Sequence, residues 1–314
     1  MNLSEINFSI VFPGQGSQEV GMGKDLSQKY PSAKQTYQEA DEILGVPLSK
    51  ISWEGPVDEL NDTINTQPAL FIHSIAAYRV FQELHPEAQP TFFAGHSLGE
   101  LSALTAAGAI SFEEGMKLVR TRGALMKKAG EVSPGGMAAI LGLDIPVVED
   151  ICLKASQGEE SVQIANDNCP GQVVISGASQ AVERALPMAQ EAGAKRAMPL
   201  AVSIAAHSEL MLHAQEEFIQ AVKSTNISVP RIPVIGNVSA KPLAAIADIQ
   251  ADLQAQLSSR VRWTESVEYM ISGGSTTFLE IGTGNVLSGL IRRINRDAER
   301  IPLGTPENFE TFQQ

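Results

Sequence analysis

Cysteine is almost missing from this chain. Cys152 and Cys169 are the only two in 314 residues, which excludes a disulfide framework and a four-cysteine zinc site. Basic charge is scarce as well: 23 Lys and Arg against 36 Asp and Glu leave a formal net charge of -13. A nucleic-acid backbone would be repelled by that surface rather than neutralised. No apolar run approaches the ~18–20 residues of a membrane span. The opening residues, MNLSEINFSIVFPGQG, lack the basic start and long apolar stretch of a signal peptide. A soluble, cytoplasmic protein is expected, with no nucleic-acid or membrane partner. What is present is the material of an ordinary globular core, 43% hydrophobic and 19% charged residues. The length suits one large domain, or a main domain carrying an insert.

Strand-like and helix-like segments alternate. FSIVF (8–12) ends at the turn-forming PGQGSQ, and helical character follows around 24–44 and 67–84. TFFAGHS (91–97) is a second short strand that runs into a helix from Leu98, and 112–129 read as a further helix. This alternation implies an α/β architecture with a mostly parallel sheet. After the hinge-like EVSPGG (131–136), strands are expected at 137–143, 162–166, 172–177 and 194–202, with helices at 146–156 and 179–193. That βαββαβ order is the split βαβ of a ferredoxin-like unit. The expected division is a large subdomain, 1–132 and 204–314, and a small inserted one, 133–203.

The chemistry-bearing stretch is FFAGHSLGELSALTAAGAI (92–110). Gly95-His96-Ser97-Leu98-Gly99 fits the G-x-S-x-G nucleophile elbow, in which a sharp strand-to-helix turn needs small neighbours and exposes the serine. The hydroxyl would sit at the positive end of the helix dipole, where the Leu98 N–H could receive an oxyanion. The competing reading makes Ser97 a plain N-cap. A nucleophilic serine needs a base. Of the histidines at 73, 85, 96, 207 and 213, His96 is a poor choice because neighbours on a tight turn point apart. His73 and His85 lie in or beside an amphipathic helix, and His213 is expected to face solvent. His207, where the chain re-enters the main unit, is the candidate, against a structural histidine. PGQGSQ (13–18) fails both the dinucleotide and the Walker patterns, since Glu19 stands where a third glycine should be and no G-K-[ST] follows. It could present the Gln15 N–H as a second oxyanion donor, or be a simple loop.

FPGQGSQEVGMG, TQPAL, GHSLGELSAL, RGALM, GGMAAILG, NCPGQVVISG, HSELM and FLEIGTGNVLSGL follow one another in this order. Together they resemble the malonyl-CoA:acyl-carrier-protein transacylase family of bacterial fatty-acid synthesis, from about residue 7 to about residue 305. The resemblance implies an α/β-hydrolase-like core, a ferredoxin-like small subdomain and a ping-pong acyl transfer from malonyl-CoA to the phosphopantetheine thiol of acyl carrier protein. It implies neither metal nor redox cofactor. Ser97 matches the nucleophile, His207 the general base, and the N–H groups of Gln15 and Leu98 the oxyanion hole. Arg122 matches the arginine that pairs with the malonyl carboxylate, with His96 and Gln67 lining the site and Asn166 near the cleft between subdomains. Arg262 falls where a glutamine whose main-chain carbonyl orients the base is usual.

The residues support several of these roles independently. A buried carboxylate needs a partner, and a guanidinium meets both its oxygens in a way lysine does not. Arg122 is flanked by Leu118, Val119 and Leu125, which suggests partial burial, whereas Arg120 is expected to be solvated. A plain surface arginine is the alternative. Departures from the family pattern are Ala205 and Ala206 ahead of the base, which would leave a roomier acyl pocket, and Thr283 and Asn285, where proline and lysine are usual. Acyl carrier proteins are acidic, so attraction must be local: Arg292, Arg293, Arg296 and Arg300, with Lys195 and Arg196, could form a basic docking patch. Cations complementing a helix C-terminus are the competing reading. A monomer is expected. Rival functions are a serine hydrolase, a free-standing polyketide acyltransferase with another extender unit, and a non-catalytic carrier-binding module.

Overall fold

The structure is a computed structural model that describes residues 3–202 and 204–313. Met1, Asn2, Ser203 and Gln314 lie outside the described residues, and with them three of the bounds of the expected division, 1, 203 and 314. Phe8–Phe12 (β1) is apolar or small at every position and buried along its whole length, as a strand covered on both faces must be. It pairs in parallel with Phe93–Gly95 (β2) on one side. On the other side it meets a strand from near the C-terminus, Thr277–Ile281. Ten strands are described, grouped in two five-stranded sheets.

The second sheet takes the middle of the chain: Gly135–Leu141 (β3), Val162–Cys169 (β4), Gln172–Ala178 (β5) and Arg196–Pro199 (β6). Val234–Ile235 (β7), Val261–Arg262 (β8), Thr277–Ile281 (β9) and Glu299–Leu303 (β10) complete the set. The first sheet has the order β10-β9-β1-β2-β7, and all its pairings are parallel. The second has the order β6-β3-β5-β4-β8. Its first four strands are antiparallel neighbours in the ferredoxin-like arrangement. β8 belongs to the chain after the insert, yet it pairs in parallel with β4. The second sheet is therefore completed by a strand that the expected division assigned to the other unit.

Local chemistry sets the element ends. Helical character around 24–44 resolves into Lys24–Lys29 and Pro31–Leu44, because Pro31 lacks the N–H that would continue the first helix and instead starts the second. The helix expected from 67 begins at Thr63, where the Asp62 carboxylate accepts from Ile64 N at 3.3 Å. Ser111 caps the helix Phe112–Val132 by accepting from Glu114 N at 3.1 Å. The strand expected over 194–202 is only Arg196–Pro199. In the smaller unit, the helices Ile145–Ala155 and Ser179–Glu191 cover one face of the sheet with Val148, Ile151, Ala181, Val182 and Ala185. Among the described residues no helix is long and apolar enough to cross a membrane.

Candidate active site

Outside the carboxyl ends of β1 and β2 the chain makes two turns that touch. This is the position where open parallel sheets commonly bind ligands. A Cβ on Gly95 would collide with the Gly99 carbonyl, and one on Gly99 would collide with the Phe12 carbonyl. These two glycines let the elbow close on itself and on the PGQG turn. Ser97 between them has φ 52°, a left-handed conformation that is costly for a residue with a Cβ and is held only by its surroundings. Asn237, just past β7, supplies part of that hold. Its Oδ1 accepts from Ser97 N at 2.7 Å, and its Nδ2 donates to Gly95 O at 2.7 Å. The helix Gly99–Ala106 then runs away from the serine.

His207 also has a positive φ, 59°, and is 3% exposed. Its Nε2 lies 2.8 Å from Ser97 Oγ. Its Nδ1 faces two carbonyls, Gln256 O at 2.8 Å and Ser259 O at 3.1 Å. Since carbonyls only accept, the Nδ1 must carry the proton, which leaves Nε2 as an acceptor for the serine hydroxyl. His207 N donates to Leu257 O at 2.9 Å, so one short segment, 256–259, holds both the backbone and the ring. Gln163 of β4 donates to His207 O and to Ser258 O, each at 3.1 Å. Burial, reinforced by the Arg122 charge, pushes the imidazole down to about 3.

Arg122 is 1% exposed. It projects from the helix Phe112–Val132 and spends its donors on neutral acceptors. Nη2 donates to Ser97 Oγ at 3.0 Å, Nη1 to Gln67 Oε1 at 2.8 Å and Nε to Gln256 Oε1 at 3.0 Å. Burial lowers it to about 10. The alternative of a surface arginine is excluded at this position. Arg120 is half-buried rather than solvated, and donates to Ile64 O at 2.7 Å and Asn65 Oδ1 at 2.9 Å.

The other candidates fall as follows. Gln67 is buried, and its Nε2 lies 3.2 Å from Met126 Sδ. Among the described residues, neither Gln15 N nor Leu98 N donates to a protein acceptor. His96 turns away from Ser97, as the tight turn requires. Its Nε2 lies 2.8 Å from Asn168 Oδ1, and its ring stands edge-on to Trp263. Asn166 is buried in β4 between Val174 and Val261, and among the described residues no side-chain hydrogen bond joins it to the other candidates. The β4 amides that do reach the site are Gln163 and Asn168. His213 is exposed, as expected, and His73 is buried.

One expectation is overturned. The main-chain carbonyl of Arg262 does not orient the base; it accepts from Ser266 Oγ at 2.8 Å, while the guanidinium pairs with Glu265. The base rests on the carbonyls of Gln256 and Ser259 instead. The misplacement has a physical origin: Arg262 lies in β8, which is committed to the second sheet, and only the turn before that strand bends over His207. Of the two alanines ahead of the base, Ala205 is fully buried and a Cβ on Gly135 of β3 would clash with its methyl group, while Ala206 is half-buried.

A serine, a neutral imidazole and a buried guanidinium meet at one oxygen, an arrangement suited to forming an ester with an acyl group that carries a free acid. Residues 9–303 match the acyl transferase domain family. The chain is 47% identical over 308 residues to the malonyl CoA-acyl carrier protein transacylase of Bacillus subtilis (strain 168), spanning 98% of this chain and 96% of that one. It is 45% identical over 307 residues to the protein of the same name from Haemophilus influenzae, spanning 98% of each. The chain belongs to the malonyl CoA-acyl carrier protein transacylases. Among solved structures, an acyl carrier protein S-malonyltransferase from Vibrio cholerae superposes with a TM-score of 0.94 at 45% identity, covering 98% of this chain and 99% of that one. A malonyl-transacylase in complex with a type II polyketide acyl-carrier protein has a TM-score of 0.94 at 42% identity, covering 97% and 98%.

Away from the elbow, Lys195, Arg196, Arg292, Arg293, Arg296 and Arg300 line one groove of about 1160 Å³ beside the β4–β5 turn. Arg293 donates to Gln172 Oε1 at 2.6 Å.

Sequence reasoning missed Gln256, Asn237, Gln163 and Asn168. Asn168 opens the NCPGQVVISG stretch, but the stretch gives that amide no role, and the other three lie outside the quoted motifs. Each acts through a contact between segments far apart in the chain.

Proposed function

We propose that this chain moves the malonyl group from malonyl-CoA to the phosphopantetheine thiol of acyl carrier protein, through an ester on Ser97, in fatty-acid synthesis. The observation that carries the proposal is the single oxygen, Ser97 Oγ, lying 2.8 Å from His207 Nε2 and 3.0 Å from Arg122 Nη2. In the first half-reaction Oγ gives its proton to Nε2 and attacks the thioester carbonyl. The negative oxygen of the tetrahedral intermediate is received by the N–H groups of Leu98 and Gln15. The C–S bond breaks, and the CoA sulfur leaves with the proton from His207. In the second half-reaction the carrier thiol gives its proton to Nε2 and attacks the ester carbonyl. The C–O bond then breaks, and Ser97 Oγ recovers the proton.

Arg122 supplies the choice of acyl group. A malonyl carboxylate is two bonds from the carbonyl carbon that Oγ attacks, which is the reach of a guanidinium already touching Oγ. An acetyl group has nothing to offer that charge, and a buried guanidinium left without its anion is costly. Water is a poor competitor because the base leans on neutral carbonyls and carries no buried carboxylate partner. The basic groove is our candidate docking surface for the acidic carrier, and the chain is expected to work as a monomer. Incubation with malonyl-CoA followed by intact-mass measurement tests the reading. One malonyl increment on the wild type and none on Ser97→Ala is expected; malonylation of Ser97→Ala would sink it.

A further inference from the structure

Beneath the site lie two carboxyl groups that the acyl transfer described above does not use. Glu100, on the first turn of the helix that follows Ser97, is 0% exposed, and Asp252 of the helix Ile246–Ala255 is 4% exposed. Consecutive backbone N–H groups serve both, Asn237 N at Glu100 and Val238 N and Ser239 N at Asp252, so two acids are buried side by side. Two ionised carboxylates in one buried pocket are costly, and the one with fewer donors keeps its proton. Among the described residues no ion pair reaches either group.

Their surroundings decide where the proton rests. Asp252 accepts from two backbone N–H groups, Val238 N at 3.1 Å and Ser239 N at 3.0 Å, and Arg262 stands near it. Glu100 accepts only Gln256 Nε2 and a long contact from Asn237 N at 3.4 Å. Burial raises the Glu100 carboxyl well above its ordinary range, and the Asp252 charge raises it further.

Glu100 also fixes which way the Gln256 amide points. Gln256 Nε2 donates to Glu100 and to Ser97 O at 3.1 Å, so its Oε1 is turned toward Arg122 Nε. We propose that Glu100 is a positioning and selectivity residue: as a neutral acid donating to Asp252, it orients Gln256 against Arg122 and leaves the guanidinium without a carboxylate partner until a malonyl group brings one. An ionised Glu100 would offer Arg122 a resident anion and blunt the preference for a dicarboxylic acyl group. This inference rests on the malonyl-transfer reading and extends it to the groups behind Arg122.

The test compares wild type, Glu100→Gln and Glu100→Ala at pH 8, reading acylation of Ser97 by malonyl-CoA and by acetyl-CoA separately. Malonyl acylation of the wild type establishes the underlying reading by itself. Glutamine can donate to Asp252 and accept from Gln256 without charge. Its malonyl-to-acetyl ratio is therefore expected to stay within about threefold of wild type, whereas alanine lowers that ratio by about tenfold or more. The infrared difference spectrum between wild type and Glu100→Gln should contain the C=O stretch of a protonated carboxylic acid. If that band is missing, or if Glu100→Gln loses selectivity as alanine does, the proposal is overturned. Should Glu100→Ala not fold, the glutamine ratio and the infrared band decide alone.

Discussion

The two sheets of this molecule solve different problems with similar strands. The parallel sheet buries β1 along its whole length and puts at its carboxyl end a cluster of polar groups that would be ruinous if unpaired: Arg122, His207, Glu100 and Asp252. The antiparallel sheet is covered on one face by Ile, Val and Ala side chains from two helices. Its contribution to the site is two amides at the edge, Gln163 holding the segment under His207 and Asn168 holding His96. The difference teaches that reactivity is concentrated where parallel strands end and helices begin, while the second unit supplies walls and alignment.

That contrast can be broken at graded cost. Ser97→Ala should lower acyl-enzyme formation by at least about 10³-fold, read by intact mass and by rate. Arg122→Ala should lower malonyl acylation by about 10²–10³-fold, the usual loss when one member of a buried charge pair is removed, with a smaller effect on acetyl acylation. Single-turnover acylation with the two CoA esters checks this. Arg292→Glu with Arg293→Glu is expected to raise the KM for carrier protein by about tenfold, with a steeper salt dependence in wild type than in the variant. Acylation by malonyl-CoA should hardly change, and equal kinetics with the carrier would dismiss the groove as its dock. Gln163→Ala, in the second unit, should cost about three- to tenfold in acylation by loosening the segment that carries the base. The smallest expected effect is that of pH. The base must be neutral to act, and His207 is neutral above its depressed value of about 3. Acylation should therefore stay flat from pH 8 to pH 5, and a limb near 6.5 would show that the imidazole is not held neutral as described.

Legibility in the sequence followed locality. The elbow could be read because its glycines, serine and flanking strand and helix are adjacent, and the conflict between φ 52° at Ser97 and an L side chain is resolved by its immediate neighbours. The alternation of the middle segment gave the βαββαβ order because each strand and helix there carries its own apolar period. The base-orienting carbonyls were misassigned to Arg262. Any residue has a carbonyl, so nothing in the side-chain pattern marks the ones at Gln256 and Ser259. Asn166 was singled out while Asn168 does the bonding; irregular β4 pairing between Ile164 and Asn166 and between Asp167 and Cys169 rearranges which side chains face the site.

What the sequence determined by itself was therefore the set of groups with chemistry and the local turns that present them. Backbone sterics and apolar periodicity act over a few residues and leave a readable trace. What only the tertiary structure decided was which of those groups meet. Ser97 and His207 are separated by 110 positions and Arg122 and Gln256 by 134, and their hydrogen bonds exist because two sheets and the turn before β8 close over one oxygen. Pairing across such separations is set by packing of the whole core, which no single stretch of residues encodes.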